Sequence, residues 1–264
     1  MVLAAQSRMP GTTVTLWGRR EESIRQANDL GIRSATTDLR EAVSDAEMII
    51  LSTPVGAMLG VLDAVSKERG LEGVTITDVG SVKLTPRDML DKVVHEVGAC
   101  YIGSHPMAGS EQAGIQAARR DLFQGAACVM TNDFQCSAEK VAALRGFWET
   151  LGCVCHLTTS EEHDRVMARI SHFPHLLASV GSLVGLKYPD DGKFSGNGMR
   201  DTTRVASGHP GMWAEILLRN REALRLPIEE AIEHLRDVLA LLESSDEEGL
   251  ERVLTEAKCL RDLL

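Results

Sequence analysis

The segment GSHPMAGSE, Gly103–Glu111, sets one histidine among glycines, a proline, two serines and a carboxylate. An imidazole titrates near pH ~6.5, which suits proton transfer around neutrality. His105, expected on a stiff loop at a strand end, is therefore a general-base candidate, although a lone histidine is more often structural. A second segment, TDVGSVK, Thr77–Lys83, follows an apolar run. Open α/β sheets place ligands at strand C-termini. There Gly80 permits close approach and Ser81 offers a hydroxyl; an ordinary strand-end turn is the plain alternative. The third region lies further on. SHFPH puts His172 and His175 three apart, on one helix face if the proline allows it. GNGMRDTTR then brings Arg200 and Arg204, followed by Pro210 and Trp213. A guanidinium is the natural partner of a substrate carboxylate. Salt bridges with Asp201 or a neighbouring helix account for the same arginines. No metal is expected. The histidine pair lacks a completing carboxylate, and CVCH, Cys153–His156, matches no zinc spacing.

These residues need elements to hold them. Short apolar runs at 14–17, 32–35, 48–53, 74–78, 101–104, 127–131 and 154–157 read as strands. Helical patterns at 21–30, 39–43, 55–69, 86–97 and 138–151 lie between most of them. Such alternation predicts crossover connections and a mostly parallel sheet. EMIILSTP is apolar without alternation, as a strand buried on both faces should be, and it ends at Thr53 and Pro54. Strands stop near residue 160. Ile228, Ala231, Ile232, Leu235, Val238, Leu239 and Leu242 follow helical spacing, and Leu250–Leu260 repeats it after ESSDEEG. The reading is an α/β nucleotide-binding domain over 1–158 and an all-α domain over 159–264. The apolar helix stripes suit a dimer interface or an intrachain bundle equally.

In the dinucleotide fold a first strand enters a G-x-G-x-x-G turn and a helix before the second strand. Here helix-like MVLAAQSRM, a Pro10–Gly11 break and the strand at 14–17 match first helix, turn and second strand. The sequence is expected to begin inside the first helix, without the first strand and its glycine loop. The turn TVTLWGRREES holds Gly18, Arg19 and Arg20 where an NAD site would show a carboxylate. Two guanidinium groups suit a 2′-phosphate, so NADP is favoured and NAD is the alternative. Pairing with Glu21 and Glu22 would leave the arginines merely solvated.

A net charge of −10 and a pI near 5.3 argue against a nucleic-acid partner. No apolar run approaches the ~20 residues of a membrane span. The start lacks a signal-peptide layout. Six cysteines in mostly apolar settings read as buried thiols in a reducing cytoplasm.

Taken in order, TDVGSVK, GSHPMAGSE, DLFQGAACVMT, SHFPH and RDTTRVASGHPGMW, with the final helices, resemble the prephenate/arogenate dehydrogenase family from Thr13 onward. The resemblance implies a Rossmann-like domain joined to a helical homodimerisation domain. It implies an oxidoreductase of tyrosine biosynthesis that converts prephenate to 4-hydroxyphenylpyruvate with loss of carbon dioxide, or arogenate to tyrosine, reducing NAD(P). By motif match His105 would take the proton of the ring 4-hydroxyl. Ser81 would orient His105 beside the nicotinamide, and Arg204 would hold the ring carboxylate. Ser110, His172, His175 and Trp213 would line the substrate pocket, with Glu111 and Arg200 paired at its mouth. Gly18, Arg19, Arg20, Thr53, Pro54 and Ser81 would meet the cofactor. A non-catalytic dinucleotide sensor on the same fold is the rival reading; retention of Ser81, His105 and Arg204 argues against it.

Overall fold

The computed structural model describes residues 1–109 and 114–264. Helix α1 (Val2–Arg8) leads into β1 (Leu16–Trp17), α2 (Glu21–Asp29), β2 (Ala35–Thr36) and α3 (Leu39–Val43). β1 and β2 form a parallel pair that shares no ladder with the next strands. The chain continues through β3 (Met48–Leu51), α4 (Val55–Glu68), β4 (Thr75–Asp78), α5 (Leu84–Glu96) and β5 (Cys100–Tyr101). β3, β4 and β5 pair in parallel, with Met48 opposite Thr75 and Leu51 opposite Asp78. Every β4 residue is buried. Met58, Leu62 and Val65 of α4 and Leu90 and Val94 of α5 close over Leu51 and Ile76.

A third group holds β6 (Gly103–Pro106), β7 (Ala127–Thr131) and, after α6 (Ala138–Leu151), β8 (Val154–Thr158). β6 runs antiparallel to β7, and β7 parallel to β8. The single strand expected at 101–104 is thus two. Ile102 N still donates to Ile76 O at 2.9 Å, and then the chain leaves β4 for β7. Gly103 makes the crossing: a Cβ there would stand 2.5 Å from Thr131 Oγ1 and 2.8 Å from the Lys83 side chain. His105, expected on a loop, therefore lies within β6, opposite Val129. Ala4, Ala5, Ile102, Met130, Leu144 and Trp148 form the second core. Cys100 and Cys136, expected as thiols, are joined in a disulfide; Cys128, Cys153, Cys155 and Cys259 are free.

Beyond β8 all elements are helical: α7 (Ser160–Met167), a π turn over Ala168–His172, α8 (Phe173–Gly185), α9 (Asn197–Thr203) and α10 (Pro210–Arg219). The proline of SHFPH, Pro174, follows directly on the π turn, whose Phe173 N–H reaches Ala168 O, so it falls where the regular helical ladder is already interrupted. Packing groups Met1–Asn220 as one unit and Arg221–Leu264 as another. The second unit holds α11 (Arg221–Glu243) and α12 (Glu247–Arg261), the latter capped by Asp246, which accepts from Gly249 N at 2.9 Å. Ile232, Leu235, Leu239 and Leu242 of α11 are exposed. No helix among the described residues is long and apolar enough to cross a membrane.

Candidate active site

The turn after β4 is pinned from beneath. Asp78, fully buried, accepts hydrogen bonds from Lys83 Nζ, Tyr101 Oη and Gly80 N, each at 2.6 Å. The Lys83 ammonium also donates to the carbonyl oxygens of Gly80 (2.7 Å) and Val82 (3.2 Å). Burial and the neighbouring Asp78 carboxylate push the Tyr101 phenol well above its ordinary range, so it stays a donor. A buried ion pair satisfied this fully is costly to break, because either survivor would be an unpaired charge. Ser81 sits half-buried on this turn.

α7 closes the other side. Asp164 accepts from Lys83 N at 2.8 Å and Leu84 N at 3.1 Å, placing a carboxylate at the N-terminus of α5. His163 Nδ1 meets Asp164 Oδ1 at 2.7 Å, and His163 Nε2 meets His105 Nδ1 at 2.8 Å. All three side chains are buried. Burial, then the Lys83 charge, hold His105 well below the ordinary imidazole range. Burial lowers His163 too, against the opposing hydrogen bond to Asp164. Asn220, after α10, extends the network, its amide donating to Asp164 O at 2.8 Å and to His172 Nδ1 at 2.9 Å. His175 lies flat on Trp213, with ring centroids 3.5 Å apart and planes 7° from parallel.

Among the described residues Thr53 Oγ1 is buried without a partner, and His172 Nε2 and His175 Nδ1 lack a well-formed hydrogen bond, the Ser81 and Val205 backbones near those two rings interacting only weakly. Buried polar atoms are normally satisfied, so orphans mark places a ligand can fill. Thr53 and Pro54 close β3 at its C-terminal end, where dinucleotide folds bring the cofactor. Arg19 and Arg20 are exposed after β1 and do not pair with the nearby carboxylates. Glu22 takes Arg25 and Gln26, and Glu21 takes Thr37 Oγ1. These residues, with Gly18, offer donors, charge and space of a kind that fits a dinucleotide.

Of the residues singled out in the sequence, His172, His175 and Trp213 come together, and His105 joins His172 through His163, Asp164 and Asn220. Arg204 opens a 3-10 turn over Arg204–Ser207 that packs against α8, and its side chain is exposed, as is that of Arg200 on α9. No hydrogen bond joins Ser81 to His105; His163 takes that place. Ser110 and Glu111 lie outside the described residues. Ser104 is structural, bonded to Thr77 Oγ1 at 2.8 Å and accepting from Trp148 Nε1 at 3.0 Å. No metal-ligating cluster occurs among the described residues. His163, Asp164 and Asn220 escaped the sequence reading, because an adjacent His-Asp pair and a lone asparagine carry no spacing signal.

The buried histidines predict a pH-dependent stability. Burial pushes His172 down to about 4, while the unfolded chain titrates near 6.5. The folded value is the depressed one, so the stabilisation is complete above pH 6.5 and is lost as pH falls from there towards 4. His172 alone should cost roughly 2 kcal/mol at pH 5, or about 4–8 °C in Tm. Scanning calorimetry from pH 7.5 to 5 should show the loss, and His172→Gln should reduce it by the share of His172, leaving that of His105 and His163. A Tm constant over that range would contradict the reading.

The sequence matches the prephenate dehydrogenase nucleotide-binding domain over residues 1–157 and the prephenate dehydrogenase dimerization domain over residues 159–256. The chain belongs to the prephenate dehydrogenase family. It is 32% identical to a prephenate dehydrogenase of Bacillus subtilis, over 99% of this chain and 72% of the relative. Its fold resembles that of the Aquifex aeolicus prephenate dehydrogenase solved with hydroxyphenyl propionate and NAD+. That match has a TM-score of 0.87 and 29% identity, over 98% of this chain and 91% of the other. An arogenate dehydrogenase of Synechocystis also matches, with a TM-score of 0.77 and 27% identity over 98% and 94% of the two chains. Family membership makes the fold a Rossmann-like nucleotide-binding domain followed by a helical dimerisation domain.

Proposed function

We propose that this protein is a prephenate dehydrogenase, an oxidoreductase acting on a CH–CH group in tyrosine biosynthesis. What carries the reading is the buried His105, linked by hydrogen bonds to the His172–His175–Trp213 cluster, in a chain matched along its length by the family. A nicotinamide dinucleotide held there would supply the acceptor for the hydride on the ring carbon bearing the hydroxyl. His105 takes the hydroxyl proton. Loss of the ring carboxylate as carbon dioxide sends its bonding pair through the ring to the former hydroxyl oxygen, which takes the proton back from His105, and aromaticity makes the step effectively irreversible. Arg204 holds that carboxylate until it departs, and Ser81 lies beside the reacting carbon. Ser110, His172, His175 and Trp213 contact the substrate side chain, and Glu111 with Arg200 guards the mouth. His175, a neutral imidazole at the side-chain pocket, favours the keto acid prephenate over the amine arogenate. An absorbance assay of nicotinamide reduction, run with both substrates and both cofactors, tests this. Reduction with arogenate alone would overturn the substrate assignment.

We assign NADP as the cofactor, held by Gly18, Arg19, Arg20, Thr53, Pro54 and Ser81. Arg19 and Arg20, not engaged by Glu21 or Glu22, support it. Gly18→Asp combined with Arg19→Ser should reverse the preference towards NAD. Losing a charge-assisted contact to the 2′-phosphate costs about 1.5–3 kcal/mol, roughly ten- to a hundredfold in affinity. Equal titration of NADP into both proteins would remove the arginines from the site. We divide the chain functionally at 158/159 and infer a homodimer through the helical domain, supported by the exposed stripe on α11. We infer a cytoplasmic location from the four free cysteines, set against one disulfide, Cys100–Cys136.

A further inference from the structure

We propose that His163 and Asp164 are positioning residues that fix the tautomer of His105, so that its Nε2 presents a lone pair to the substrate hydroxyl. The inference rests on His105 being the base, and it goes further by saying which nitrogen acts and what makes it act. The argument starts at Asp164. Its Oδ1 accepts from Lys83 N and its Oδ2 from Leu84 N, two backbone donors whose protons cannot move away. The carboxylate is thus an acceptor on both oxygens. His163 Nδ1 stands 2.7 Å from Oδ1. A bare nitrogen there would oppose two lone pairs in a buried site, so Nδ1 carries the proton. A neutral His163 then has a bare Nε2. That nitrogen is 2.8 Å from His105 Nδ1, and the same argument places the proton on His105 Nδ1. Only Nε2 of His105 remains to take a proton. When it does, the imidazolium donates to His163 through a bond already made, with Asp164 two hydrogen bonds away to stabilise the charge. The order carboxylate, imidazole, base follows the logic by which an aspartate holds a catalytic histidine in its working tautomer, with one imidazole inserted.

Protein labelled with 15N-histidine, at pH 7.5, gives the direct test. Long-range 1H–15N correlation should show His105 in the Nδ1–H form, with the resonance assigned from the His105→Asn spectrum. The Nε2–H form would overturn the proposal, whether or not the protein is turning over. Two variants supply the kinetic test. His163→Phe keeps a ring but loses the acceptor; kcat should fall about 10- to 100-fold with KM for prephenate changed less than about twofold. His163→Gln can place a carbonyl near the former Nε2 and should recover most of the loss. If phenylalanine serves as well as glutamine, His163 is a packing residue and the relay is wrong. Failure of the general-base assignment looks different: His105→Asn would keep its turnover while His105 in the parent still showed the Nδ1–H form.

Discussion

Replacing His105 with asparagine lowers the turnover number by about 10²–10⁴ and leaves prephenate binding nearly intact. The expectation follows from the environment of the ring. His105 is buried on β6 with its Nδ1 bonded to His163, and burial with the Lys83 charge keeps it neutral. A neutral imidazole at pH 7 can accept a proton at once. Asparagine preserves polarity and approximate size but offers no basic nitrogen, so binding survives and chemistry does not. The pH profile gives a second readout. A base must be unprotonated to act, so kcat falls as pH drops through its pKa. That pKa is depressed, so the acid limb of log kcat should lie below pH ~6.5. Stopped-flow and steady-state measurement of nicotinamide reduction over pH 5–8 checks both statements. Near-normal turnover in the variant would make His105 structural.

Replacing Arg204 with alanine should act on the other parameter. In the proposed role the guanidinium would hold a carboxylate in both the bound substrate and the transition state up to decarboxylation, so its loss should raise KM more than it lowers kcat. Truncating one partner of a charged contact costs about 2–5 kcal/mol when the pair is desolvated. The Arg204 side chain is exposed without substrate, which favours the lower end. A rise in KM on the order of 30- to 100-fold is expected. Arg204→Lys should recover only part of it, since an ammonium cannot make the two-pronged contact. An unchanged KM for prephenate would move the anion site, with Arg200 the next residue to test.

Much of the architecture was legible because it rests on local pattern. The spans of α3, α6 and β7 coincide with the sequence reading, and the apolar run ahead of Thr53 became β3. Each is specified by its own periodicity and caps; Asp38 and Ser137, for example, stand ready as N-cap acceptors. The split of β5 from β6 was not legible, because it depends on which strand each half meets and on the small size of Gly103. His105 could be singled out by its glycine- and proline-rich surroundings, yet its partner could not. His163 and Asp164 approach it from another element, and only the packing of α7 on the start of α5 brings them there. The stacking of His175 on Trp213 is likewise tertiary, made across the close approach of Gly208, where a Cβ would stand 2.3 Å from Trp213 Nε1.

The position of Asp164 also bears on how such a chain can be rearranged by recombination. One carboxylate ends the hydrogen-bond path to His105 and caps α5, yet it belongs to the first helix after the last strand. The border between the two matched families falls just before that helix. A cut at the border separates α7 from the strands before it, leaving two bare amides at the start of α5 and no partner for His105 Nδ1. The halves are modular in sequence and not in chemistry. A viable chimera would have to carry Ser160–Met167 along with the sheet it serves, so the inherited unit is longer than the domain.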